Sequence, residues 1–149
     1  MQLINGVGIL LLSFIGMELF SWAFHKYVMH GLLWSIHKTH HVPGKGFFEL
    51  NDLFSLLFGS IAVIMIVSGI SELNAWFWIG SGITLYGIVY FVLHDMIIHR
   101  RVKTDVKPGG TYLRGIAKAH RDHHKSPEKN GAVSFGLLVV AKHYFGRRK

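Results

Sequence analysis

Cysteine is absent from the chain, which excludes disulfides, iron–sulfur clusters and thiolate metal ligation. No glycine-rich flavin-type fingerprint stands in its place, so any electrons that a reaction consumes must come from another protein. Acidic residues are scarce as well, eight Asp and Glu against sixteen Lys and Arg, for a formal net charge of +8. So few carboxylates argue against calcium or magnesium, which take hard oxygen ligands. The three prolines, Pro43, Pro108 and Pro127, each lie in a Gly- or Ser-containing stretch where a helix is expected to break.

Charge is missing altogether from two long stretches, residues 53–70 and 75–93, and residues 3–24 are interrupted only by Asn5, Ser13, Glu18 and Ser21 besides glycines. Each stretch is near the ~20 residues that cross a bilayer core of about 30 Å. None has the recurrent polar face of a buried helix in a soluble bundle. Half of the chain is hydrophobic and its mean hydropathy is +0.35, so three membrane spans are predicted. The first has no basic segment before it and no small-x-small site before Lys26, and is expected to stay as an anchor. A fourth apolar run, 132–141, is too short to cross and is expected at the interface or packed on the rest of the protein.

Basic residues give the orientation. Lys26, Lys38 and Lys45 lie between the first and second spans, all the others follow the third, and none lies before Lys26 or in the turn 71–74. The positive-inside rule then puts the N-terminus outside and both flanking segments in the cytoplasm. The predicted fold is an all-α integral membrane bundle of three transmembrane helices with a cytoplasmic His-rich helical cap, a single domain over residues 1–149. Anionic lipid headgroups account for the net charge, so membrane lipid is the expected partner and nucleic acid is not.

Against these absences stands histidine, eleven residues in all. Ten of them form two copies of one pattern, HxxxxH followed by HxxHH: His25, His30, His37, His40 and His41, then His94, His99, His120, His123 and His124. Residues three and four apart share a helix face, so each HxxHH is expected to aim three imidazoles at one point. The two rings of HxxxxH lie about 140° apart on an ideal helix, which suits either a helix end wrapped by two metals or a helix that is locally unwound. Neutral imidazole is the commonest metal ligand, and ten rings exceed the needs of one ion. Two borderline transition metals are therefore expected, and two irons that bind dioxygen and attack an inert C–H bond suit an all-nitrogen set at a membrane surface. A bis-histidine haem would instead need His pairs at matched depths within facing spans. A metal transporter would need several ionisable groups at mid-membrane.

Only Glu18 occupies such a depth, seven positions before His25 and on nearly the same face; it either supports the metal site or pairs with a polar group on another helix. Ser55, Gly59, Gly80, Gly82 and Gly87 are expected to let helix backbones approach closely. Tyr86, Tyr90 and Phe91 are candidates for walling a lipophilic tunnel, and Trp76 and Trp78 are expected to be interfacial anchors.

The motifs HKYVMHG at 25–31, KGFFELND at 45–52, HDMIIHRR at 94–101, AHRDHHK at 119–125 and SFGL at 134–137 resemble the carotenoid hydroxylases of the fatty acid hydroxylase superfamily, membrane non-haem di-iron proteins. The likeness runs from the first span to about Leu137. The His pattern is shared with desaturases, sterol oxidases and carotenoid ketolases; GFFELND and the compact length point to the carotenoid branch. The resemblance implies two irons, for which zinc can substitute in purified protein. It also implies dioxygen as co-substrate, electrons from ferredoxin or an NADPH-dependent reductase, and hydroxylation of β-carotene at carbon 3 of its β-ionone ring, giving cryptoxanthin and zeaxanthin. The alternative is another oxygenase of the superfamily, a fatty acyl or sterol hydroxylase or desaturase, or a carotenoid ketolase. Asp95 is a candidate for catalysis by orienting the His94 ring, or else forms a surface salt bridge with Arg100 or Arg101. His143 has no counterpart in the pattern and is left outside the site.

Overall fold

A computed structural model describes residues 3–42, 44 and 46–146, and among the described residues there is no strand. α1 (Leu3–Ala23) runs directly into a π-helical segment, Phe24–Leu32. Within it Gly31, at φ −108° and ψ −109°, leaves helical geometry and redirects the chain into α2 (Trp34–His41). α3 (Asp52–Gly69) and α4 (Ala75–Tyr90) form a hairpin, and α4 continues as a second π-helical segment, Phe91–Ile98. α5 (Gly110–His123) follows, then a stretch of turns and bends and a single 3-10 turn, Lys142–Phe145. Pro43 and Lys45, two residues of the expected break after His41, lie outside the described residues, as does Gln2. Val42 has already left the helix, at φ −128° and ψ 77°.

Three helical runs are long and apolar enough to cross a membrane: Leu3–Leu32, Asp52–Gly69 and Ala75–Ile98, of 30, 18 and 24 residues, the first kinked near its end at Gly31. At 1.5 Å per residue these measure about 45, 27 and 36 Å. The first and third therefore exceed a hydrocarbon core of about 30 Å, and their π-helical ends extend the spans into the His site. The outer faces are apolar: Ile4 is 81 % and Leu12 72 % exposed on α1, Leu56 66 % and Val67 68 % on α3. A water-soluble bundle would cover such faces with another layer; in a bilayer, lipid does so.

α4 is the central helix, packed on both α1 and α3. Positions two apart on a helix point about 200° apart, and two glycines so spaced serve the two neighbours. A Cβ on Gly80 would fall 2.7 Å from the Ala62 carbonyl oxygen of α3, and one on Gly82 would fall 2.5 Å from the Leu10 carbonyl oxygen of α1. Gly59 and Gly87, expected to act in the same way, do not: nothing lies within 4 Å of a Cβ at either, and both border a cavity. The Asn74 side chain caps α4 by accepting from the Trp76 N–H at 2.9 Å.

The apolar run 132–141 packs against the rest of the protein, as one of its two expected placements had it, without regular secondary structure and with a bend at Leu137 and Leu138. Three of its backbone N–H groups bind a side chain of α1. Leu137, Leu138 and Val139 donate to Glu18 Oε1 at 3.1, 2.8 and 2.9 Å.

The packing of α1 on α4 can be tested at Gly82. Gly82→Val would drive a branched side chain into the Leu10 carbonyl, at a cost of about 1–3 kcal/mol for overpacking, and should lower the thermal unfolding midpoint in detergent. Gly87→Ala, with open space around it, should leave that midpoint unchanged.

Candidate metal centre

HxxxxH is built on π-helix in both copies. In a π-turn the amide of residue i+5 bonds to the carbonyl of residue i, and the His99 N–H donates to the His94 carbonyl at 2.8 Å. Residues five apart are thereby brought toward one face, and the 140° divergence of an α-helix is much reduced. Of the two readings left open by the spacing, the helix is locally underwound: it is widened while remaining helical, and it stays stiff up to its ligands.

All ten motif histidines converge, in two groups. His25, His30, His37, His41 and His123 bring one nitrogen each within 4.8 Å of one another, and so do His40, His94, His99 and His120. His124 stands against the second group, with ring centroids 4.5 Å from His120 and 4.7 Å from both His40 and His99. It also stacks on His41 at 4.4 Å, at the seam between the groups. The expectation that each HxxHH aims three rings at one point is therefore corrected. Positions i+3 and i+4 share a broad face but diverge by about 100°. The middle histidine of each HxxHH consequently turns away: His40 joins the group of the second copy, and His123 that of the first. Each group holds four rings of its own copy and one borrowed ring.

The outer nitrogens fix the tautomers. Nδ1–H of His25 donates to the Phe135 carbonyl at 3.0 Å, that of His30 to Lys129 at 3.1 Å, that of His41 to Ser126 at 2.9 Å and that of His123 to Val133 at 2.9 Å. His37 donates to Asn51 Oδ1 at 2.7 Å, His40 to Glu49 Oε2 at 2.9 Å and His94 to Asp95 Oδ1 at 2.9 Å. These oxygens only accept, so in each ring the proton sits on Nδ1 and the inward Nε2 carries a bare lone pair. Yet the Nε2 atoms of His25 and His37 are 3.0 Å apart, those of His41 and His123 3.1 Å, and those of His30 and His123 and of His40 and His94 3.2 Å. No proton is available to bridge them. Two nitrogens at right angles about one ion with bonds of 2.0–2.1 Å stand about 3 Å apart, so the spacing fits ligands of a shared cation. His124 Nε2, buried with no hydrogen-bond partner, is another donor left for such an ion. The arrangement is compatible with a non-haem di-iron site.

Asp95 is not in a surface pair. It is 9 % exposed, and its Oδ1 takes the His94 proton while lying 3.6 Å from the Arg101 guanidinium. Arg101 is gripped chiefly by Asp52, with both nitrogens at 2.7 Å. Glu49, Asn51, Asp52 and Arg101 were not singled out from sequence as site residues. The signal was the polar cluster ending GFFELND, eight residues past His41, three of whose members now back or brace the site. Glu18 pairs between helices, accepting from the Tyr86 hydroxyl at 2.8 Å, and touches no histidine. His143 lies apart, its ring tilted against that of Tyr144 in the 3-10 turn.

A cavity of about 630 Å³ lies among α1, α3 and α4 and reaches His25 and His37 of one group and His94 of the other. Phe20, Phe24, Phe58, Tyr86 and Tyr90 are among its walls, with Phe91. Trp76 and Trp78 do not line it; Trp76 is 57 % exposed, as an anchor would be.

Comparison with known proteins places the fatty acid hydroxylase family over residues 10–146. The chain is 41% identical over 141 residues to a β-carotene hydroxylase of Pseudescherichia vulneris, covering 95% of this chain and 80% of that protein. It is 42% identical over 132 residues to one of Pantoea ananas, covering 89% and 75%. It is 35% identical over 133 residues to a chloroplastic β-carotene 3-hydroxylase of Arabidopsis thaliana, covering 86% and 42%. No solved structure matches.

The buried rings resist protonation. Burial, reinforced by neighbouring rings, pushes His37 down to about 2, His41 to about 4, and His99 and His123 to about 3. In the unfolded chain histidine titrates near 6.5. Below that pH the unfolded state takes up protons that the folded state refuses, so stability is lost as pH falls from 6.5 toward 4. Chelator-treated protein in detergent should accordingly lose several degrees in its unfolding midpoint between pH 7 and pH 5. An unchanged midpoint would contradict neutral, buried rings.

Proposed function

The chain belongs to the fatty acid hydroxylase family, and on that premise we propose that it hydroxylates β-carotene at carbon 3 of the β-ionone ring, giving cryptoxanthin and then zeaxanthin. The observation that carries this reading is the apolar cavity that opens onto both His groups. Its aromatic and aliphatic walls suit a hydrocarbon ring delivered from the bilayer. Gly59 and Gly87, bare of side chains, leave the room that the ring needs. A polyene about as long as the bilayer is thick can keep its length in lipid or between helices while one ring reaches the histidines, and two visits modify both ends.

Two irons bound by the ten motif histidines would supply reduction of dioxygen, with one oxygen atom entering the C–H bond and the other leaving as water with two electrons and two protons. The protein contributes position and dryness. Asn51, Glu49 and Asp95 hold the protons of His37, His40 and His94 on Nδ1, keeping each Nε2 free to ligate. Such partners fix ring orientation and raise ligand basicity, so Asp95 acts as a positioning residue. Arg101, bonded to Asp52 and to the Phe47 carbonyl, ties α3, the loop before it and the end of the third span together at the cavity's polar end. The cavity's apolar walls exclude water from the reacting carbon. The electron donor is a ferredoxin or an NADPH-dependent reductase, since the chain has no cysteine to carry a cluster.

Cells that make β-carotene, given this gene and a competent electron donor, should accumulate cryptoxanthin and zeaxanthin. Unchanged β-carotene beside newly hydroxylated fatty acids or sterols would overturn the substrate in favour of another oxygenase chemistry.

The distribution of Lys and Arg supports a site on the cytoplasmic side. Single cysteines placed at Gln2 and at Lys125 should then be labelled from opposite sides of the membrane. Labelling of both from one side would contradict three crossings.

A further inference from the structure

The two His groups are oriented by different means. In the first, four of five outer nitrogens bond to backbone carbonyls of one short stretch after α5: Ser126, Lys129, Val133 and Phe135 hold His41, His30, His123 and His25. In the second, the outer partners found are carboxylates, Glu49 on His40 and Asp95 on His94. Hydrogen bonds to ionised partners are roughly twice as strong as neutral ones. Moreover, Glu49 and Asp95 sit on segments braced by Asp52 and Arg101, whereas residues 126–139 have no helix of their own.

What holds that stretch in place is Glu18. Glu18 is buried, 8 % exposed, and its carboxyl group receives every one of its hydrogen bonds. Oε1 takes the N–H groups of Leu137, Leu138 and Val139, and Oε2 takes the Tyr86 hydroxyl. Three consecutive N–H groups left without an acceptor among apolar helices would be costly, so the carboxyl group and the bend at Leu137 and Leu138 depend on each other. Two residues before this clamp is Phe135, whose carbonyl orients His25. The chain passes tightly there: a Cβ on Gly136 would fall 2.5 Å from the Val139 carbonyl oxygen and 3.1 Å from Glu18 Oε1.

We propose that Glu18 is a positioning residue for one of the two metals: by clamping residues 137–139 it fixes the carbonyls that orient the His25, His30, His41 and His123 rings, and its loss empties that site while the carboxylate-backed site keeps its ion. This rests on the two-metal reading above. Glu18 thus acts on the metal through this strap, from within the first span and without touching a ligand.

The test is metal content of the full chain purified in detergent, counted as iron plus zinc per protein, with helicity and elution volume checked for each variant. Wild-type protein should carry about two ions and Glu18→Leu about one. Glu18→Gln should keep two, because its amide oxygen still accepts the three N–H groups and its amide nitrogen can donate to the Tyr86 hydroxyl oxygen. Gly136→Ala disturbs the strap from its own backbone, with the carboxylate of Glu18 kept in place in the sequence, and should also drop to about one; it carries the test if Glu18→Leu does not fold. Adding His41→Ala to either one-ion variant should remove nothing further, whereas adding His94→Ala should bring the content near zero. Wild-type protein with one ion or none would defeat the two-metal reading itself. With two ions in wild type, retention of both in folded Glu18→Leu and Gly136→Ala, or loss of both, would overturn the role given to Glu18; so would loss of an ion in Glu18→Gln.

Discussion

Unshared electron pairs on neighbouring imidazoles repel, and here four pairs of Nε2 atoms sit 3.0–3.2 Å apart with their protons turned outward. Such a gathering persists only if each ring is gripped from behind and a cation can occupy the space in front. The carbonyls of the strap, the carboxylates of Glu49 and Asp95 and the amide of Asn51 perform the first task. Burial performs a related one, since rings shielded from water stay neutral and keep their pairs. The π-helical ends follow from the same constraint, because only a widened turn lets histidines five apart face one centre.

Much of this was legible in the chain because membranes and metals write strong patterns. Apolar runs marked the start of each span to within one residue but stopped eight and five residues short of the ends of the first and third, which continue as π-helix, and the duplicated spacing marked all ten rings. The division of labour among them was not legible. Helical periodicity says that His37, His40 and His41 are neighbours, but which side of the face meets which partner depends on where α2 and α5 are placed, a tertiary matter. The π-turns likewise leave no residue-type signature beyond the spacing itself. The strap was hidden for a different reason: its contribution is made by backbone carbonyls, which every residue carries, so the identities of Ser126, Lys129, Val133 and Phe135 reveal nothing of it.

Glycine divides between two jobs that composition cannot tell apart. Gly80 and Gly82 vanish into contacts with α3 and α1, whereas Gly59 and Gly87 face empty space. Close packing at the first pair fixes the helix positions, and the missing side chains of the second pair keep a cavity open between them. An apolar chamber beside two groups of nitrogen ligands is thus a product of the helix spacing as much as of the lining residues.

The borrowed histidine has a consequence for how the protein comes into being. His123 stands 82 residues along the chain from His41, and His94 stands 54 from His40. A nascent chain that has made its first span and α2 holds an incomplete set, and the set remains incomplete after the hairpin is inserted. Neither group closes until α5 leaves the ribosome, so an ion held by either group would enter at the end of synthesis, and its energy of binding would become energy of folding. Because the exchange of rings runs in both directions, the two repeats are interlocked. Neither half can be excised, matured alone or traded for another module without breaking the centre of the other.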